Sequence, residues 1–193
     1  MSIFDFLTVA LSLVLGLGLT RLLESAVEAF RVRKTVQLHW LPFAWALAVL
    51  IQQLQFWWAM YELQQMASVN VSTFVLLLLL AMLLFVAGAL VLPTGEAGYP
   101  DDLLDYFSSD GAWGVAAVGA YHLIAIFANL VLFNVPLHAP IIWLGVLCGA
   151  LAMVVAFAST SRVRLIASLA WFVLLALVLV IATLPAYTDT SMA

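Results

Sequence analysis

Charge is the scarcest property of this chain. Of its 193 residues, six are Lys or Arg and ten are Asp or Glu, while 67% are hydrophobic and the mean hydropathy is +1.20. A soluble domain carries roughly 25% charged residues, so the 8% found here excludes one. Six basic residues in a few places are too few for an electrostatic footprint on nucleic acid, and the net charge of −4 argues the same way. Cysteine is nearly missing as well. Cys148 stands alone, which excludes an intramolecular disulfide and Cys-x-x-Cys metal spacing, and it reads as a small buried hydrophobe. There is no glycine-rich nucleotide loop, nucleophile elbow or zinc helix. A cleavable leader is not expected either, because no Lys or Arg precedes the first apolar stretch and Asp5 occupies the position where one would stand.

What is present is a series of apolar runs of membrane length. They place spans at about 4–23, 40–63, 73–92, 112–132, 141–158 and 165–184. A helix of about 20 residues covers about 30 Å, the thickness of the hydrocarbon core. The pattern predicts an all-α protein, a polytopic bundle of six transmembrane helices making one transmembrane domain over residues 1–193. The first helix should continue past the membrane through Arg31, with Arg21 reaching the headgroups. Trp57, Trp58 and Tyr61 suggest an aromatic belt. Asn70-Val71-Ser72 matches a glycosylation sequon, a weak pattern, in the polar turn before the third span. The longest loop, 93–110, is acidic, and 101–107 within it reads as a short amphipathic helix along the interface. Its Asp101, Asp102 and Asp105 are expected to be solvated or paired with Arg31, Arg33 and Lys34 rather than to hold a metal ion.

Orientation follows from an internal comparison. Arg31, Arg33 and Lys34 follow the first span, and Arg162 and Arg164 follow the fifth. An even number of crossings separates the two loops, so they share a side, which the positive-inside rule makes cytoplasmic. Both termini and the opposite loops are then expected outside, with the acidic loop in the cytoplasm.

The polar residues inside the spans are few enough to name. Thr8, Ser12, Gly16, Thr20, Glu24 and Glu28 recur every fourth residue along the first span and read as a seam for close helix packing. In the second span Gln52, Gln55 and Glu62 fall within about 80° of one another, whereas Gln53 points elsewhere. In the fourth, His122 lies near mid-membrane and Asn129 shares its face. An ionisable group at that depth marks either a functional site or a neutral histidine bonded between helices. The inner halves, 41–49 and 114–120, are apolar and small, so the set Ser12, Gln52, Gln55, His122 and Asn129 describes a pocket opening outward, with Asp5, Glu62 and His138 at its mouth. Gly145 and Gly149 form a GxxxG that, with Gly16, predicts close helix contacts, within the chain or with a second copy. His39, His122 and His138 lie at three different depths, which excludes a bis-histidine haem; no cofactor and no metal is expected.

The strings 16–23 (GLGLTRLL), 39–40 (HW), 55–58 (QFWW) and 105–107 (DYF) together resemble a group of uncharacterised small bacterial integral-membrane proteins. The resemblance covers most of the chain and implies a bacterial inner membrane, with no activity attached. Three readings follow. The first is a membrane-embedded binding, accessory or interaction protein whose partners are the bilayer and a second copy or another membrane protein. The second is a small-solute transporter or proton-coupled channel using His122, Gln52 and Gln55. An intramembrane enzyme is the least favoured, since no nucleophile–base pair or metal set lies at matched depth.

Overall fold

The computed structural model describes residues 3–62, 70–95 and 99–183, and within them the chain is helical with no strand. Seven helices follow in order: α1 (Ile3–Arg31), α2 (Trp40–Glu62), α3 (Val71–Leu90), α4 (Leu103–Ser108), α5 (Gly111–Val131), α6 (Pro140–Phe157) and α7 (Ser161–Thr183). All except α4 are long and apolar enough to cross a bilayer, so the protein is an integral membrane protein with six candidate spans. Its exterior fits that reading. Large apolar side chains such as Leu13, Leu47, Leu54, Phe127 and Val173 point outward along the helices. Exposed tryptophans stand at the ends, Trp40 and Trp113 at one and Trp57, Trp58 and Trp143 at the other, the depth at which amphipathic indoles prefer to sit.

Local signals explain several boundaries. Asn70 caps α3: its Oδ1 accepts the Thr73 backbone N–H at 2.8 Å and the Thr73 hydroxyl at 3.0 Å. The sequon thus begins a helix, two residues before the boundary expected from hydropathy. Pro140 opens α6, where its missing N–H costs nothing. Asn134, with φ 50°, turns the chain after α5 in the left-handed region that asparagine tolerates better than most residues. Asp102 caps α4, its Oδ1 accepting from Leu104 N at 2.7 Å.

α4 is docked on the bundle by its apolar side. Leu103 and Phe107 are completely buried, and the 101–103 backbone pairs with Gln37, whose N–H donates to Asp101 O at 2.9 Å and whose carbonyl accepts from Leu103 N at 3.1 Å. Asp102 is occupied by the cap, and Arg33 folds back over the Phe30 ring and onto the Phe30 carbonyl. Asp101 and Asp105 are exposed, which fits the solvated alternative, and Arg33 is engaged by Phe30 of α1.

A departure concerns Arg164. Hydropathy puts it in a loop, but α7 begins at Ser161 and Arg164 is buried. The reason is the end of α6. The guanidinium donates to the carbonyls of Val155 (3.3 Å) and Ala158 (2.8 Å), which have no helical partner there, and to the Ser108 hydroxyl of α4. Three connections, α1–α2, α3–α5 and α6–α7, are therefore tied together at one end, which also carries the five basic residues from Arg31 to Arg164; this is the basic end below.

The inward face of α1 is not the polar stripe. Leu7, Leu11, Leu15, Gly18, Leu22, Ser25 and Ala29, each three or four residues after the last, are the buried set. Gly16, Thr20 and Glu24 are exposed, and a Cβ on Gly16 would meet nothing within 4 Å. The seam runs instead through Gly18 and Gly88. A Cβ on Gly88 would come within 3.2 Å of Gly18 O and 3.0 Å of Gln53 Nε2. Gln53 is inserted from α2 into this α1–α3 crossing and donates to Leu84 O at 3.1 Å. α1 packs on α3 and α2, α3 on α5, α5 on α6 and α6 on α7, while α2 approaches α5 and α7 only loosely.

Candidate functional site

The gap left where α2 stands away from α5 and α7 is a cleft of about 220 Å³, closed on its remaining side by α6. Among the described residues, with the Tyr121 phenol and the Cys148 thiol beside them, three amides and one imidazole line it: Gln52 and Gln55 from α2, His122 and Asn129 from α5. They come together because each pair shares a helical face, three residues apart on α2 and seven on α5, and because α2 and α5 face each other across the gap. Gln52 is 4% exposed, so its amide has no recourse to solvent. Its Nε2 lies 3.1 Å from Nε2 of His122. An amide nitrogen only donates, so in this arrangement the imidazole nitrogen accepts and the ring proton resides on Nδ1; rotating the amide by half a turn would exchange the roles.

The cleft runs in one direction. Gln52, His122 and Cys148 lie at mid-helix in α2, α5 and α6, whereas Ala59, Asn129 and Ile141 lie toward the end opposite the basic one. Below mid-depth the path is filled by aromatic rings. Trp171 meets the His122 ring edge-on at 5.9 Å between centroids and Trp45 at 4.5 Å, and Phe172 packs on both indoles. Both indoles are completely buried and both N–H groups are satisfied, Trp45 by the Ser168 hydroxyl at 3.0 Å and Trp171 by the Cys148 carbonyl at 3.1 Å. Tyr121 walls the other side of the imidazole, edge-on at 5.4 Å, and is itself met by Phe56.

Among the described residues no Asp, Glu, Lys or Arg lines the cleft, and no group of three or more His, Cys, Asp and Glu gathers closely enough for a metal ion. Three amides and one imidazole offer both donors and acceptors without net charge. Such a lining suits a small uncharged molecule that carries a polar group, the remainder of the wall being apolar.

The other nominated residues lie elsewhere. Ser12 is on α1, which packs against α3 and α2, and it does not line the cleft; the polar set is drawn from α2 and α5 alone. Gly16 faces outward. Gly149 packs against Gly119 of α5, whose carbonyl would lie 3.3 Å from an added Cβ, whereas Gly145 is part of the cleft wall. His138 is exposed in the α5–α6 connection and takes no part in the lining. The side chains of Asp5 and Glu62 lie outside the described residues. Sequence reasoning missed Trp45 and Trp171. The available signal was their position: indoles normally collect at the ends of spans, and Trp171 falls at the middle of one. No family model, curated protein or solved structure matches this chain.

Proposed function

We propose that this is a membrane-embedded binding or accessory protein that holds a small uncharged ligand in the α2–α5–α6–α7 cleft, in a bacterial inner membrane with both termini outside. The observation that carries this reading is the gathering of Gln52, Gln55, His122 and Asn129 around one uncharged cleft whose inner side is filled by Trp171 and Trp45. Hydrogen-bonding side chains at mid-membrane must find partners within the bundle or in what the bundle binds. The orientation is supported by the clustering of Arg31, Arg33, Lys34, Arg162 and Arg164 at one end, since basic residues favour the cytoplasmic side.

The aromatic filling favours binding over transport, because conduction requires a second opening. Purified protein with ¹⁵N-labelled histidine tests both. A panel of small uncharged amides, alcohols and ureas is expected to contain members that shift the His122 ring nitrogens, with the shift lost in Gln52→Leu and Gln55→Leu. The same compounds should cross protein-containing liposomes no faster than empty ones. Saturable flux abolished by His122→Ala would replace this reading with the transporter one, and a panel that leaves His122 unmoved would refute the ligand site.

A further inference from the structure

A second pocket, independent of the cleft, lies at the basic end. It has a volume of about 610 Å³ and is bounded by the end of α3, Pro93, Thr94, Tyr99 and Pro100, α4 and the start of α5. Its chemistry differs from that of the cleft. Tyr99, Tyr106 and Trp113 supply aromatic surface, and Asp110 supplies the charge; among the described residues no Lys, Arg or His lines it.

The parts are held in place from behind. The Tyr106 hydroxyl donates to Leu90 O at 3.0 Å, which fixes its ring against the end of α3. Trp113 is steadied edge-on by Phe157 at 5.9 Å and remains 62% exposed. Asp110 precedes α5, makes no side-chain cap hydrogen bond and is exposed, so its carboxylate is not consumed by the fold. Behind Tyr99, Glu28 is engaged through its Oε2 by Gly95 N at 2.9 Å. The Tyr99 hydroxyl oxygen is buried close to the Glu28 carboxylate.

We propose that this pocket binds an alkylammonium group, the shared chemistry of an aminophospholipid headgroup and of a free amine. Aromatic faces attract a cation within about 6 Å of the ring centroid, and the Asp110 carboxylate supplies the opposite charge. A hard metal ion is a poor fit, since calcium takes roughly six to eight oxygen ligands and the described lining offers one carboxylate. An anion is disfavoured by the same carboxylate. The depth also suits a headgroup: Leu90 is the last residue of α3 and Trp113 the third of α5, at the level where spans meet water.

The test uses the full chain in detergent. Tetramethylammonium chloride and ethanolamine hydrochloride are titrated calorimetrically against sodium chloride of equal ionic strength. Delipidated protein is separately offered an equimolar mixture of phosphatidylethanolamine, phosphatidylcholine and phosphatidylglycerol and weighed by native mass spectrometry. Heat from the amines but not from sodium, or retention of the two amine lipids over phosphatidylglycerol, is the expected result. The first identifies a free amine as the source and the second a lipid. Asp110→Asn, which breaks no cap bond, is expected to weaken binding about tenfold with an unchanged melting temperature, and Trp113→Leu to do the same. Retention of phosphatidylglycerol equal to the amine lipids, no binding in either arm, or undiminished binding by Asp110→Asn each overturns the proposal. None of these outcomes bears on the cleft.

Discussion

The amide of Gln52 and the imidazole of His122, 70 positions apart in the chain, stand 3.1 Å from each other at mid-membrane. Nothing else of similar polarity joins α2 to α5 at this depth among the described residues, so the pair fixes how the two walls of the cleft face one another. Interhelical hydrogen bonds in bilayers couple by about 0.6 kcal/mol on average and about 1.7 at most. A double-mutant cycle of Gln52→Leu and His122→Leu, read by reversible unfolding in micelles, is expected to show coupling in that range. Strict additivity would mean the contact is not made.

The two glycines of α1 should behave oppositely. Gly18→Val forces a side chain into Phe85 and Gln53, and overpacking of this kind costs about 1–3 kcal/mol. Gly16→Val points into open space and is expected to change stability by less than about 0.5 kcal/mol. Melting temperatures of the two variants, measured side by side, check this.

Trp171 separates the cleft from the inner half of the bundle, and Cys148, the single cysteine, lies beside it and is 3% exposed. Trp171→Ala removes the ring and the bond to the Cys148 carbonyl, a loss of about 3–5 kcal/mol for a buried tryptophan. Maleimide labelling of Cys148 should be slow in the parent, faster in Trp171→Ala and close to the parent rate in Trp171→Phe. Equal rates in all three would show that the indole does not act as the seal.

Arg164 is a cap supplied by the following helix. Arg164→Lys keeps the charge but cannot reach two carbonyls and a hydroxyl at once, because an ammonium lacks the planar fork. Both Arg164→Lys and Arg164→Ala are expected to lose about 2 kcal/mol, in line with hydrogen bonds to a charged group. Amide exchange should quicken at Ser109, the residue that caps the end of α4, since the Ser108 contact is lost with the guanidinium. Exchange confined to its parental rate would leave α4 anchored by Gln37 and Tyr106 alone.

Tyr99 should titrate abnormally. Burial, and after it the neighbouring Glu28 carboxylate, push its phenol from the usual 10 up to about 12. The neutral form is the one the fold prefers, so the stability it contributes is complete below pH 10 and is lost as pH rises to about 12. The tyrosinate absorbance difference between the parent and Tyr99→Phe reports this titration. In Glu28→Gln its midpoint should fall back toward 10, and an unmoved midpoint would remove Glu28 as a cause.

Much of the framework was legible from residue order. Run length set the number of long helices, and basic residues marked the connections that Gln37 and Arg164 tie together at one end. The errors have a common physical origin. A helical wheel says which residues share a face but not which face looks inward, and in lipid an apolar face suits either direction. Thr8, Ser12, Gly16 and Thr20 therefore form a stripe without being the seam, because the leucine face of α1 found α3 first. Gln53 was set aside for pointing away from Gln52 and Gln55, yet that direction leads into the Gly18–Gly88 crossing.

By itself the sequence determined an all-helical chain of six membrane-length helices with few polar groups at depth, because the absence of charge over twenty-residue runs admits no other solvent. Only the tertiary packing decided which polar groups meet. The loose approach of α2 to α5 and α7 opened the space that Gln52, Gln55, His122 and Asn129 share, and Trp45 and Trp171 closed it from beneath. Such spacing depends on side chains from four helices at once, which no single stretch of sequence contains.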